Sequence, residues 1–361
     1  MELDGRFELK DRKDDQTMKK RGLALLLASL LLFAASAYAQ TAVFTDSLGR
    51  QVLVPQEITR VAVTGPAAQI AVFALAPDKL VGVTSEWEDF AAGLLDEKYL
   101  ALPVLGQLYG GKGELNLETL LAADPQVVID VGEAKKGAAQ DLDALGEQTG
   151  IPFVHISADI DCMDRAYAML GELLDMPGEA GLLGAYCAGV YARAKGIAEK
   201  VNKVRMLYVT GEEGLGVIAK NSYHSAIIDM LGDNLAVVDS PSSRGTGNEV
   251  DMEQILAWNP DVVVFSNGSV YDSVDSDPLW QAVSAVADGQ YYEAPFGLYN
   301  WMGFPPGAQR LMGMTWLGWL LYPQEADYDL YEETAKYYEL FYHCALTRAQ
   351  FDTLTSRAVR R

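Results

Sequence analysis

The stretches "NLETLLAADPQVVIDVGE" (residues 116–133) and "DMEQILAWNPDVVVFSNG" (residues 251–268) carry one pattern at one fixed offset. Glu118 falls on Glu253, Leu120–Leu121 on Ile255–Leu256, Ala122 on Ala257 and Pro125 on Pro260. The run from Val127 falls on Val262–Val264, and every pair has the same separation (253 − 118 = 135). A single matched proline would mean nothing, but eighteen positions in one register mark two copies of one structural unit. In the first copy Asn116 caps a helix, "LETLLAAD", and Gln126–Val131 follows as a buried strand. A chain of 361 residues has room for two domains of ordinary size, one around each copy.

The rest of the chain keeps the rhythm that the repeat sets. Arg60–Gly65 and Lys79–Thr84 read as strands, with an apolar helix, "AAQIAVFAL", between them. Ile151–Ser157 is a further strand, followed by a helix from Met163 to Leu174. Alternating strands and helices favour a mainly parallel sheet covered on both faces. The rhythm breaks between Glu179 and Lys203, a stretch rich in Ala, Glu, Lys and Arg without proline, which reads as one long helix after the Pro177-Gly178 punctuation. It restarts with the strand Val204–Gly211 and the "AIIDMLG" helix. The expected fold is therefore α/β: two doubly wound lobes joined by one long linker helix. The expected divisions are an extension and signal peptide over 1–39, a first lobe over 40–176, the linker over 177–203 and a second lobe with terminal helices over 204–361. Ligands of open α/β sheets bind beyond the carboxyl ends of the strands, so the site belongs in a cleft between the lobes.

Several function classes drop out on composition. With 28 Lys and Arg against 50 Asp and Glu, the net charge of −22 argues against nucleic acid, which needs concentrated basic residues. Met18-Lys19-Lys20-Arg21, the apolar Leu23–Ala35 and the Ala37-Tyr38-Ala39 triplet have the order of a secretory signal cleaved near Gln40. The apolar run is short for a membrane span, so a periplasmic protein that does not span the membrane after cleavage is expected. Met18, rather than Met1, reads as the initiator. Cys162, Cys187 and Cys344 are too few and too scattered for a disulfide framework or a metal cluster, and three buried thiols are expected. "GQLYGGKG" (residues 106–113) approaches a phosphate-cradling loop, with Asp130 in "VVID" as the acidic strand. Gly113, however, lacks the hydroxyl that would hold Mg²⁺, and no helix opens directly behind the loop. Neither a nucleophile elbow nor a metal-spaced histidine set is present, so no catalytic residue and no cofactor is assigned. His155 reads as a packed core histidine, and His343 as packing or surface.

Taken together, "FTDSLGRQVLVP", "RVAV", "DKLVGV", "NLETLLAADPQVVI" and "DMEQILAWNPDVVV" resemble the substrate-binding proteins of ABC importers for iron–siderophore complexes and cobalamin. The likeness runs from Thr41 to Pro323, and "NWMGFPPGAQRLMGMTWLGWLLYP" looks like the branch that includes ferric-complex and molybdate or tungstate binders. It implies a class III periplasmic-binding-protein fold with a rigid cleft, acting as a monomer. It implies further that Glu118 and Glu253, one per lobe at the start of the repeated helix, dock into arginine pockets of the two-fold ABC permease dimer. Bidentate carboxylate–guanidinium contacts would orient such a complex, although each Glu could equally only support its helix N-terminus.

For the ligand, the expected rim combines aromatic faces with cations: Trp87, Tyr109, Tyr223, His224, Arg244, Tyr299, Trp301 and Arg310. Arg244 stands among small residues in "PSSRGTG", where its fork could reach an anion. Arg310, behind Pro305-Pro306, reads as a brace for its own helix, and Trp301 could pack under the terminal helices. This set suits a metal chelate with an anionic rim, an iron–siderophore complex first of all. Molybdate or tungstate, haem and cobalamin are alternatives; a bare oxyanion would want a tight cage of backbone amides. Clustered Tyr, His and carboxylates for bare iron are not visible.

Overall fold

The computed structural model describes residues 40–360 apart from 110–113 and 304. Residues 1–39, with the expected signal and the choice of initiator, lie outside them, as does the end of the phosphate-loop look-alike.

The chain enters as an antiparallel hairpin of β1 (Thr41–Thr45) and β2 (Gln51–Pro55). Its turn is held by Asp46, whose carboxylate accepts from the amides of Leu48, Arg50 and His155 and pairs with the Arg50 guanidinium at 2.6 Å. The turn is thereby clamped to the edge of the first sheet. That sheet is parallel: β3 (Val61–Val63), β4 (Val127–Gly132) and β5 (Phe153–Ser157) lie side by side in that order. The β-branched runs of β3 and β4 are buried along their whole length, as strands covered on both faces must be.

The second sheet is built from β6 (Val204–Thr210), β7 (Gly216–Val217), β8 (Gly232–Asn234), β9 (Asn248–Glu249), β10 (Val262–Phe265) and β11 (Tyr291–Glu293). β11, β10 and β6 run parallel, β8 pairs in parallel with the start of β6, and β7 pairs antiparallel with its end. β9 closes the order on the outer side of β7.

The two copies of the sequence repeat take similar shapes, from the capping side chain to the left-handed turn behind each helix. Asn116 and Asp251 both cap, accepting from the amides of Thr119 and Gln254 at 3.0 and 2.8 Å. The helices Leu117–Ala122 and Met252–Trp258 each bury one residue fully, Leu120 and Ile255. Asp124 and Asn259 then turn left-handed, at φ 50° and 40°, a region that short polar side chains tolerate better than others. The prolines follow, and β4 and β10 begin at the matching valines.

The linker helix spans Pro177–Ala198, about 33 Å at 1.5 Å per residue. It starts two residues before the expected Glu179, because proline in a first turn gives up only an amide that has no partner there. It stops short of Lys203: a turn over 199–203 carries Val201 and Asn202, both poor helix formers, into β6. Helix Met163–Leu174 packs so closely on it that a Cβ at Gly171 would lie 2.5 Å from the Ala180 Cβ.

The expected strand Lys79–Thr84 does not form. Residues 77–79 make a 3₁₀ turn, Leu80 bridges only to Val61, and Val83 has already changed partner to Val104. The segment switches neighbours too quickly for a ladder with either.

Burial separates three cores. Leu105, Leu120, Leu142 and Phe153 fill the outer face of the first sheet, and Leu207, Val263, Phe265 and Trp280 the outer face of the second. The third core is shared: Ile129 and Val154 of one lobe, Leu183 and Val190 of the linker, Met206 and Val264 of the other lobe, and the helices Arg310–Leu321 and Leu330–Tyr342 belong to one cluster. Arg193 of the linker adds a bond at 2.6 Å to Glu333 and lies 4.3 Å over the Tyr328 ring. Lobes that share a close-packed core with their linker resist hinging. No disulfide braces the chain among the described residues. Only Cys187 is buried; Cys162, at a helix start, and Cys344, just past a helix end, are partly exposed, contrary to the expectation of three buried thiols. Among the described residues no helix is long and apolar enough to cross a membrane.

Candidate functional site

The carboxyl ends of the two sheets meet where Tyr223, His224 and Arg310 come together. Tyr223 and His224 lie in a 3₁₀ turn before the helix Ala226–Leu231, their rings 5.5 Å apart and edge to face. Arg310 opens the helix Arg310–Leu321, and its guanidinium carbon stands 5.4 Å from the Tyr223 ring centre. From the first lobe, the loop behind β4 sends Lys135 to within 5.6 Å of the same ring. Lys135 is at the same time ion-paired to Glu133 at 2.6 Å.

Arg310 is the unusual member. The residue is only 2% exposed, and among the described residues its Nε and Nη2 make no hydrogen bond. The Tyr223 hydroxyl is also buried without a hydrogen-bond partner. Burial raises the pKa of the phenol and the guanidinium beside it lowers it, although the hydroxyl makes no hydrogen bond to Nε or Nη2. Buried polar groups are nearly always paired, and a buried charge without a partner costs several kcal/mol, about 1–3 for each unmade bond. Local geometry leads Arg310 there: Gly303, at φ 108°, lies so close to the arginine stem that a Cβ would approach its Cδ to 3.0 Å.

Two helix N-termini flank this arginine. Its own helix starts at Gln309, and the helix Pro66–Leu75 starts at Gly65, both without a side-chain cap. They are neighbours, since a Cβ at Gly307 would lie 3.0 Å from Ile70 and 3.7 Å from the Cα of Ala67. The first turn at Pro66 leaves backbone amides for an anion, whereas the amides of Arg310, Leu311 and Met312 already donate to the carbonyls of Gly307, Ala308 and Gln309. The surroundings are cationic enough to act on His224. Burial holds its pKa below the ordinary value, the Gly303 carbonyl 3.3 Å from Nδ1 raises it, and the charges of Arg310 and then Lys135 lower it.

The aromatic candidates form a second cluster. The Trp87 and Tyr299 rings are 6.3 Å apart, and Trp87 donates from its indole to the Tyr99 carbonyl at 3.0 Å. Burial raises the pKa of the Tyr299 hydroxyl, which accepts at 2.8 Å from Gln69 of the helix Pro66–Leu75. Gln69, missed in the sequence, is the buried side chain that ties one lobe to the segment before the terminal helices; its other end accepts from Thr84. Nothing in local sequence separates it from a surface glutamine.

The remaining candidates scatter. Tyr109 donates to Asp141 at 3.2 Å within the first lobe, and burial raises its pKa. Arg244 is exposed on its loop. Trp301 is a correction: it is 2% exposed and packed in the shared core, as the largest apolar side chain of its segment is bound to be, and leaves the rim. Arg310, expected either on the rim or as a brace for its own helix, is buried with Nε and Nη2 bonded to no described part of that helix. His155 is the expected core histidine, fully buried with Nδ1 2.6 Å from Asp130, whose other oxygen accepts from Thr64. His343 caps a helix end and donates from Nε2 to the Phe73 carbonyl at 3.0 Å. Glu118 and Glu253 are both exposed in the first turns of the repeated helices. Among the described residues no group of three His, Cys, Asp or Glu could hold a metal ion.

A family model described as a periplasmic binding protein matches residues 61–298. The molybdate-binding protein MolA of Haemophilus influenzae is 25% identical over 352 residues, covering 88% of this chain and 96% of that protein. The Fe(3+)-citrate-binding protein YfmC of Bacillus subtilis is 25% identical over 189 residues, 51% of this chain and 58% of that one. Among solved structures, an ABC transporter solute binding protein from Sulfurospirillum deleyianum superposes with a TM-score of 0.79 at 23% identity, over 88% of this chain and 99% of that one, which is a likeness of fold.

Proposed function

Because the chain belongs to the periplasmic binding protein family, we propose that it captures a small oxyanion of the molybdate class between its lobes and delivers it to an ABC importer. The observation that carries the reading is the buried Arg310 guanidinium with unmade bonds, beside the equally unpaired Tyr223 hydroxyl. A bound oxyanion accepts from both and from the uncapped start of the helix Pro66–Leu75, and so supplies the partner that the fold withholds. Lys135 leans in from the other lobe and adds charge. The 25% likeness to a molybdate-binding protein along nearly its whole length supports the same reading.

A ferric chelate is the second reading. It is favoured by the Trp87–Tyr299 aromatic pair and by the partial likeness to a ferric citrate binder. Elemental analysis of protein purified without refolding separates the two: molybdenum or tungsten carried through supports the oxyanion, and iron alone overturns it.

Delivery is assigned to Glu118 and Glu253. Each helix runs back along the strand that follows it, so its first turn lies toward the cleft-side rim of its lobe, and the two exposed carboxylates present one charge per lobe to a two-fold permease. Export to the periplasm, with cleavage near Gln40, completes the proposal and is checked by N-terminal sequencing of the secreted protein; an intact Met18 in membrane pellets would contradict it.

A further inference from the structure

His224 stands beside the proposed anion site with backbone groups on two sides. Its Nδ1 lies 3.3 Å from the Gly303 carbonyl, on the segment that leads to Arg310. The backbone of Ser243 lies near enough to favour the charged ring as well. A neutral imidazole has one N–H and serves one carbonyl, whereas an imidazolium serves two. Ser243 is followed by Arg244, the exposed arginine of the loop among small residues.

The groups around the ring oppose its charge. Arg310 comes from the helix beneath it, Lys135 from the loop behind β4, and the Tyr223 ring stands edge-on at 5.5 Å. The carboxylates on this side, Glu133 and Asp159, face Tyr223 from the first lobe, and Glu133 is already paired with Lys135. Two backbone groups invite the second proton, and burial and two cations repel it. An anion bound between those cations removes the repulsion.

We infer that His224 is a proton-coupled latch: capture of an oxyanion beside Arg310 brings one proton onto His224, and the imidazolium then holds the Gly303 segment and the Ser243–Arg244 loop together over the anion. The inference rests on the oxyanion reading above and adds a regulation of that site. The sign follows from linkage. The anion raises the pKa of the ring from its value in the free protein. Affinity is therefore highest below the free-protein value and falls by up to tenfold per pH unit between the two values; above the bound-state value it levels off.

The test is calorimetric titration of the whole protein with sodium molybdate at pH 7, in two buffers of different ionisation enthalpy. Imidazole proton resonances are followed in parallel. Wild type should take up as much as one proton per anion, and one of its three histidines should move to the charged position on binding. His224→Gln should bind with no proton exchanged. Buffer-independent heat with all three histidines unmoved overturns the latch, and the spectrum of the wild type decides this even if the variant folds poorly. Proton uptake that persists in His224→Gln overturns it as well, since another group then carries the proton. Absence of any binding heat overturns the oxyanion reading, and the latch with it.

Discussion

Replacing Arg310 by Met should make the protein more stable and less useful at once. The side chain is 2% exposed, and methionine fills most of the space of the arginine stem, so little packing is lost. What disappears is a buried charge whose Nε and Nη2 make no bonds, at about 1–3 kcal/mol for each unsatisfied group. Against that stands the stacking of the guanidinium on Tyr223 at 5.4 Å, of order 0.5–2 kcal/mol. The unliganded variant should therefore gain a few kcal/mol at most, read as a rise in Tm of several degrees for a chain of this length. Molybdate affinity should fall in the same variant. One charge-assisted contact is worth about 1.5–3 kcal/mol, or roughly 10- to 150-fold in Kd. Differential scanning fluorimetry with and without molybdate reads both effects in one plate. A brace would behave oppositely, with stability lost and the molybdate-induced shift kept. That outcome would refute the argument that the fold leaves this arginine for a ligand.

The other predictions concern separate parts of the molecule. The double change Glu118→Lys with Glu253→Lys should leave ligand affinity unaltered while importer-driven uptake in reconstituted vesicles falls sharply, each single change doing part of the damage; normal delivery would reduce the repeat to duplicated architecture. Arg244→Ala should weaken molybdate by less than Arg310→Met does, because Arg244 is exposed and its contact is screened; equal loss in the two, by tryptophan fluorescence quenching, would contradict the burial argument. Glu333→Gln should cost about 1–2 kcal/mol in urea unfolding, since it leaves Arg193 of the linker, 31% exposed at its side chain, without its anion; an unchanged midpoint would show that the bond adds nothing to the shared core.

The repeat was legible because both copies answer to local rules. A capping Asn or Asp, a left-handed Asp124 or Asn259 and a following proline are each dictated within a few residues, so like sequence gives like caps and turns. The Lys79–Thr84 run obeys the same composition rules and failed as a strand, because its pairing depended on Val61 and Val104, far away in the chain. The site was half legible. Tyr223, His224 and Arg310 stand among the expected contacts, yet spacing alone leaves Arg310 as rim or brace and Trp301 as rim or packing. Which of two large side chains is buried, and whether a buried one is paired, depends on the packing of several segments at once. Lys135 and Gln69 lie in segments that follow strands of the first lobe, but nothing in sequence singles them out, because each acts across the lobe boundary, where spacing carries no signal. The nearest clue to Arg310 was its place just behind a Gly-Pro-rich segment at a helix start.

The most direct measurement is a crystal of the protein grown with sodium tungstate and read at the tungsten absorption edge. The account predicts one anomalous peak per chain, within hydrogen-bond distance of the Arg310 guanidinium and the Tyr223 hydroxyl and facing the start of the helix Pro66–Leu75. A tungsten peak elsewhere, or none where ferric citrate gives an iron peak beside Trp87 and Tyr299, would contradict it.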